Sequence, residues 1–161
     1  KREYLDTEIV GAAELVAGGH CIAPRFLRDQ IERSIANLGV GKISIYYIHN
    51  PEQQLDAVSR EEFDNRMHAA FAALEGCVSD GLIGSYGCAT WNGLRVSPEA
   101  QNHVSIESLV ATARNVAGDE HHLSTLQMPV KLGMTEGIRM ATQIVNGEPR
   151  TALEAADAME L

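Results

Sequence analysis

Basic residues are scarce in this chain: 13 lysines and arginines stand against 22 aspartates and glutamates, a net charge of −9 across 161 residues. Nucleic-acid binding needs a concentrated positive face, and no basic stripe with interleaved aromatics is present, so that function class is excluded. No apolar run approaches the ~20 residues of a bilayer span, and no charged-then-apolar leader opens the chain; the expectation is a cytoplasmic protein with no membrane partner. The cysteines are only three, Cys21, Cys77 and Cys88. Being odd in number, widely spaced and set in apolar or strand segments, they are expected as buried thiols, not disulfides or zinc ligands. His20, His68, His103 and the pair His121-His122 lack zinc-type spacing, so no metal is expected. Short repeats and low-complexity tracts are absent as well. The length suffices for one core, yet falls short of the ~250 residues of a complete eight-unit barrel.

What is present is a strand ending on a histidine. In Ile43-Ser44-Ile45-Tyr46-Tyr47-Ile48-His49-Asn50-Pro51, Ile and Tyr at nearly every position suit a parallel strand covered on both faces. Asn50-Pro51 stops it, since proline restricts the residue before it and cannot extend the ladder. His49 thus falls at the carboxyl end, where the connecting loops of α/β folds converge and ligands bind.

Strands and helices alternate around it. Leu27, Ile31, Ile35 and Leu38 form one stripe of a helix over residues 24–38, with Pro24 near its start and Gly39 at its stop. Ser59 and Glu62 form a capping box for a helix running to Gly81, whose apolar face is Phe63, Met67, Ala70, Phe71, Leu74 and Val78. Residues 83–90 read as a strand, 105–116 as a helix with Ile106, Leu109, Val110, Ala113 and Val116 on one side, and 123–130 as a third strand. Residues 151–161 open a last helix through Leu153, Ala156 and Met159. Residues 1–23 are expected to be loop-like. Such alternation means a parallel sheet built from right-handed crossovers in a single α/β domain over residues 1–161.

The segments Gly19-His20-Cys21-Ile22-Ala23-Pro24, Tyr46-Tyr47-Ile48-His49-Asn50-Pro51 with Glu52-Gln53-Gln54-Leu55, Tyr86-Gly87-Cys88-Ala89-Thr90-Trp91-Asn92-Gly93, Asp119-Glu120-His121-His122 and Leu126-Gln127-Met128-Pro129 together resemble the aldo/keto reductases. The resemblance implies a fragment of a TIM (β/α)8 barrel covering the approach to strand four and strands four to six. It implies reduction of a small-molecule aldehyde or ketone with NADP or NAD as cofactor. His49 matches the family's catalytic histidine, which orients the carbonyl. Gln127 matches a glutamine that hydrogen-bonds the nicotinamide carboxamide, and Thr90 and Asn92 lie where the family's fifth strand addresses the same amide. Three positions depart from the pattern: Ala89 replaces a common serine, Ser44 a common aspartate and Lys131 a usual asparagine.

The resemblance also implies an aspartate, a tyrosine and a lysine, on strands two and three, that find no match here. Asp6-Thr7-Glu8 has no tyrosine after it at a useful distance, and Lys1 is terminal. Val40-Gly41 and Ala17-Gly18-Gly19 lack the spacing of a phosphate loop. Two function classes therefore stand side by side: an oxidoreductase fragment, inactive by itself, and a non-catalytic half-barrel acting as a self-associating or binding module. His49 either serves chemistry or only satisfies backbone groups; Trp91 either lines a pocket mouth or covers the barrel end. An incomplete barrel would expose strand edges and an apolar inner face at Ile45 and Tyr47, so a homodimer or higher homo-oligomer is expected.

Overall fold

The computed structural model describes residues 9–16 and 18–161. Lys1 and the Asp6-Thr7-Glu8 segment lie outside the described residues. Three parallel strands, β1 (Ile43–His49), β2 (Ile83–Ala89) and β3 (Leu123–Gln127), lie side by side in chain order. Helix α1 (Pro24–Leu38) precedes them, α2 (Arg60–Ser79) links β1 to β2 and α3 (Ile106–Ala117) links β2 to β3, α1 packing on α2 and α2 on α3. This is a partial (β/α) barrel, with β2 as its central strand.

The core fills the space between the sheet and the helices. Ile48, Tyr86 and Cys88 from the strands meet Ile31, Phe71, Leu74 and Ile106 from the helices, all essentially inaccessible. Phe71 and Tyr86 pack tilted, ring centroids 5.1 Å apart, the offset that the ring quadrupoles favour. Ser59 and Ser105 cap their helices by accepting the backbone N–H of Glu62 and Ser108, satisfying one orphan donor each.

Several expectations are corrected. Among the described residues β1 is not covered on both faces: on its inner side Ile45 and His49 are exposed and Tyr47 is half-buried. The most buried strand is β2, with only Gly84 and Ser85 half-buried, since among the described residues it alone has a strand on either side. Leu38 lies outside the buried stripe of α1 because the helix ends there, beyond its neighbours. β3 stops at Gln127 rather than at residue 130, in keeping with Pro129, which has no N–H to give a ladder.

Between residues 131 and 150 the chain forms elements that hydrophobic periodicity does not announce: a single-turn helix α4 (Glu136–Arg139) and a hairpin of β4 (Gln143–Val145) and β5 (Glu148–Arg150). The hairpin turns on Asn146-Gly147, with φ of 52° and 80°, the left-handed pair a tight hairpin requires. The last helix, α5 (Ala152–Ala158), follows it, capped by Thr151 and Glu154. Ala152 and Ala155 are buried there, while Leu153, expected on the apolar stripe, is exposed. The buried side of α5 runs through Ala152 and Ala155 towards Met159, so Met159 packs on the core as expected and Leu153 does not. Among the described residues no helix is long and apolar enough to cross a membrane.

Candidate active site

Parallel register brings the carboxyl ends of the three strands to one level. His49 pairs with Ala89, and Ala89 with Gln127. In-register residues of a sheet face the same way, so His49 and Gln127 share the inner face two strands apart, roughly 9–10 Å between backbones. Both side chains are exposed, while Ala89 between them is buried. The small residue leaves a shallow saddle between an imidazole and a carboxamide. Below it the inner face of β2 is Ser85 and Gly87, and a Cβ on Gly87 would collide with the backbone oxygen of Thr125. That close approach accompanies a register shift between Tyr86 and Gly87, and only glycine accommodates it.

Two backbone bonds extend the rim beyond the strands. Asn50 N–H donates to the Ala89 carbonyl at 2.6 Å, and Thr90 N–H to the Gln127 carbonyl at 2.8 Å. Asn50 itself is left-handed, φ 48°, which turns the chain sharply into a 3-10 turn, Pro51–Asp56. Thr90 is buried, and its hydroxyl accepts the N–H of Leu94 at 3.4 Å. Asn92 is exposed, with its Oδ1 accepting from Arg95 at 3.1 Å. A guanidinium only donates, so this bond sets the amide orientation and leaves Nδ2 as a donor. Trp91 is 54% exposed beside Asn50, Glu52, Gln53, Asp56 and Asn102 at the mouth of a hollow of about 200 Å³. It lines a rim and covers no core.

Behind His49 runs a chain of polar groups. His20 Nε2 donates to the His49 carbonyl at 2.8 Å, Gln54 Nε2 donates to His20 Nδ1 at 2.7 Å, and Arg66 donates to Gln54 Oε1 at 2.7 Å. Gln54 is fully buried. Burial holds the His20 ring below its ordinary pKa, against the carbonyl hydrogen bond that favours the cation. The ring is therefore neutral at pH 7, its proton on the nitrogen that faces the carbonyl.

The phenols on the opposite face are poor acids. Tyr46 and Tyr86 are register partners and alternate away from Tyr47 and His49. Burial pushes Tyr46 up to about 12, and burial together with the neighbouring Glu75 pushes Tyr86 up further. Cys21, Cys77 and Cys88 are all free and buried, and burial drives the Cys88 thiol up to about 12. Among the described residues no group of histidines, cysteines and carboxylates is arranged to hold a metal ion. His122 instead hydrogen-bonds Glu75 through Nδ1 at 2.8 Å, at the amino end of β3 and far from the rim.

This rim, a histidine and a glutamine at strand ends on a parallel (β/α) scaffold, agrees with the family comparison: the model described as the aldo/keto reductase family matches residues 15–116. The chain belongs to the aldo/keto reductase family. Its domain is thereby an oxidoreductase-type partial barrel. No curated protein matched the chain. The matched stretch carries His49, Thr90 and Asn92, while Gln127 lies beyond it. Glu52, Arg95 and the His20–Gln54–Arg66 chain support the rim of this aldo/keto reductase domain: Arg66 and Arg95 did not stand out in the sequence, while His20, Glu52 and Gln54 lay in motif segments with no role assigned. Glu52 and Gln54 sit in the segment that follows Pro51, but one linear motif does not reveal which loops its polar atoms will bridge.

Proposed function

We propose that this domain contributes to reduction of a small aldehyde or ketone by NAD(P)H, with His49 orienting the carbonyl and Gln127 and Asn92 holding the nicotinamide amide. The register that aligns His49, Ala89 and Gln127 carries this reading. A nicotinamide carboxamide presents one carbonyl and one NH2. Gln127 offers both complements from the rim, and Asn92 offers the Nδ2 donor that Arg95 leaves available. Thr90 would take part through the segment it anchors, since its hydroxyl is committed to Leu94. When bound, the reduced cofactor supplies the hydride. The imidazole of His49, exposed on the same face, donates a hydrogen bond to the carbonyl oxygen as negative charge builds there.

The domain alone is expected to turn over no substrate. The family's proton-donating tyrosine and its lysine and aspartate have no matched position, and Tyr46 and Tyr86 are weaker acids than a free phenol. Orienting a carbonyl without a proton donor forgoes roughly 10² to 10⁴ in rate. Free buried thiols suit a reducing compartment, and we place the protein in the cytoplasm.

A second reading, a non-catalytic self-associating module, is favoured by the uncovered inner face of β1, where Ile45 is 38% exposed. Titration with NADPH, followed through the single tryptophan, Trp91, separates the two. Saturable quenching without turnover of a generic aldehyde is the expected result. Absence of any quenching favours the module, and robust turnover abolished in His49→Ala would overturn the claim that a proton donor is missing.

A further inference from the structure

The turn Trp91-Asn92-Gly93 is gripped from two sides by charged groups, Glu52 from the loop after β1 and Arg95 from its own loop. One oxygen of Glu52, Oε1, accepts the backbone N–H of Trp91 at 2.7 Å, of Asn92 at 3.0 Å and of Gly93 at 3.3 Å. Glu52 is 5% exposed, and a carboxylate seated in successive backbone N–H groups is a charge-assisted nest that fixes the turn's conformation. On the other side Arg95, also buried, donates to the Trp91 carbonyl at 3.0 Å, to Asn92 Oδ1 at 3.1 Å and to Glu136 Oε2 at 2.5 Å. Glu52 belongs to the loop after β1, the gripped turn to the loop after β2, and Glu136 to the short helix after β3. The three rim loops are tied by two carboxylates, Glu52 and Glu136, and the Arg95 guanidinium.

We infer that Glu52 and Arg95 are positioning residues: Glu52 sets the backbone of the Trp91-Asn92-Gly93 turn, and Arg95 sets the Asn92 amide so that Nδ2 faces the rim as a donor. The functional value of the clamp rests on the oxidoreductase reading above, but its geometry does not. A neutral carboxamide at position 52 still offers one oxygen to the three N–H groups and loses the charge assistance. A lysine at position 95 keeps the charge but not the planar fork, and one ammonium cannot span Trp91, Asn92 and Glu136 together.

The test uses the whole chain without ligand. Amide hydrogen exchange by NMR is read at Trp91, Asn92 and Gly93 and, as a control, along β2; acrylamide quenching of Trp91 is read alongside. In Glu52→Ala the three turn amides are expected to exchange roughly tenfold faster or more while β2 is unchanged, with Glu52→Gln between it and the wild type. Arg95→Lys should release the Asn92 side-chain amide, so that its two NH2 resonances exchange faster, without unfolding. If Glu52→Ala does not fold, Glu52→Gln alone decides. Unchanged turn amides in Glu52→Gln and Glu52→Ala, or acceleration spread evenly over β2, would overturn the inference. NADPH quenching of wild-type Trp91 is read separately: its absence would count against the nicotinamide reading and leave the clamp standing, whereas loss of that quenching in Arg95→Lys with wild-type thermal stability supports both.

Discussion

The ring of His20 holds the backbone carbonyl of His49 at 2.8 Å, so one histidine anchors the strand end from which the other projects. Because a carbonyl only accepts, Nε2 of His20 carries the proton, and Nδ1 must accept from Gln54. A second proton would set two donors face to face. His49 is thereby placed on a fixed carbonyl rather than on a fraying strand terminus.

The first prediction follows from that neutrality. His20 and His103 are both held below the ordinary histidine value by burial. A group whose folded pKa is depressed contributes stability that is full above its unfolded value, about 6.5, and lost as pH falls through the folded value. Urea unfolding should therefore show less stability at pH 5 than at pH 7.5. His20→Asn should flatten that slope, and an unaltered slope in His20→Asn and in a His103 variant would contradict the assignment.

Glu75 provides the second. Its carboxylate accepts from the Tyr86 hydroxyl at 2.9 Å and from the His122 backbone N–H and ring at 2.8 Å each. Partial burial pushes the carboxyl upward, yet the hydrogen bonds from His122 and Tyr86 outweigh it and the net shift is downward. The contribution is complete above the ordinary glutamate value and disappears as pH drops through the folded one. Glu75→Ala leaves the buried phenol and the amino end of β3 without partners and should cost ~1–3 kcal/mol in chemical denaturation. A loss within experimental error would show that water replaces the carboxylate.

Gly87→Ala should be costly for a different reason. The added methyl meets the Thr125 backbone oxygen, so β2 and β3 must separate, at ~1–3 kcal/mol for an overpacked site. Because that pairing also sets Gln127 beside Ala89, the variant should lose NADPH quenching of Trp91 even where it remains folded. Retained quenching and full stability would mean that the sheet shifts freely.

A fourth expectation concerns assembly. Among the described residues β1 and β3 have a strand on one side only, and Ile45 is exposed on the uncovered face. That face is less apolar than the sequence suggests, because β2 and β3 contribute Ser85, Gly87, Ala89, Thr125 and Gln127 beside Ile45 and Tyr47. We propose a homodimer that covers the open face. Light scattering should give a mass above the monomer that falls in Ile45→Lys. A monomer at all concentrations would reject the idea.

The sequence by itself determined the parallel (β/α) order, the three helices with their caps and the place of His49 at a strand end. Those are local: periodicity, capping residues and Pro51 are read within a few positions. The hairpin was legible in Asn146-Gly147 but masked by the short length of its strands. What lay beyond the sequence is long-range. Whether β1 is covered depends on what stands next to it: its apolar run suits burial on both sides, and it was the shortfall from a complete barrel, not the run, that pointed to exposure at Ile45. Above all, only the tertiary structure brought Glu52 to the turn of Trp91, Glu136 to Arg95, and His20 to the carbonyl of His49. Hydrogen bonds between loops depend on where the strands deliver those loops, and no spacing along the chain encodes that meeting.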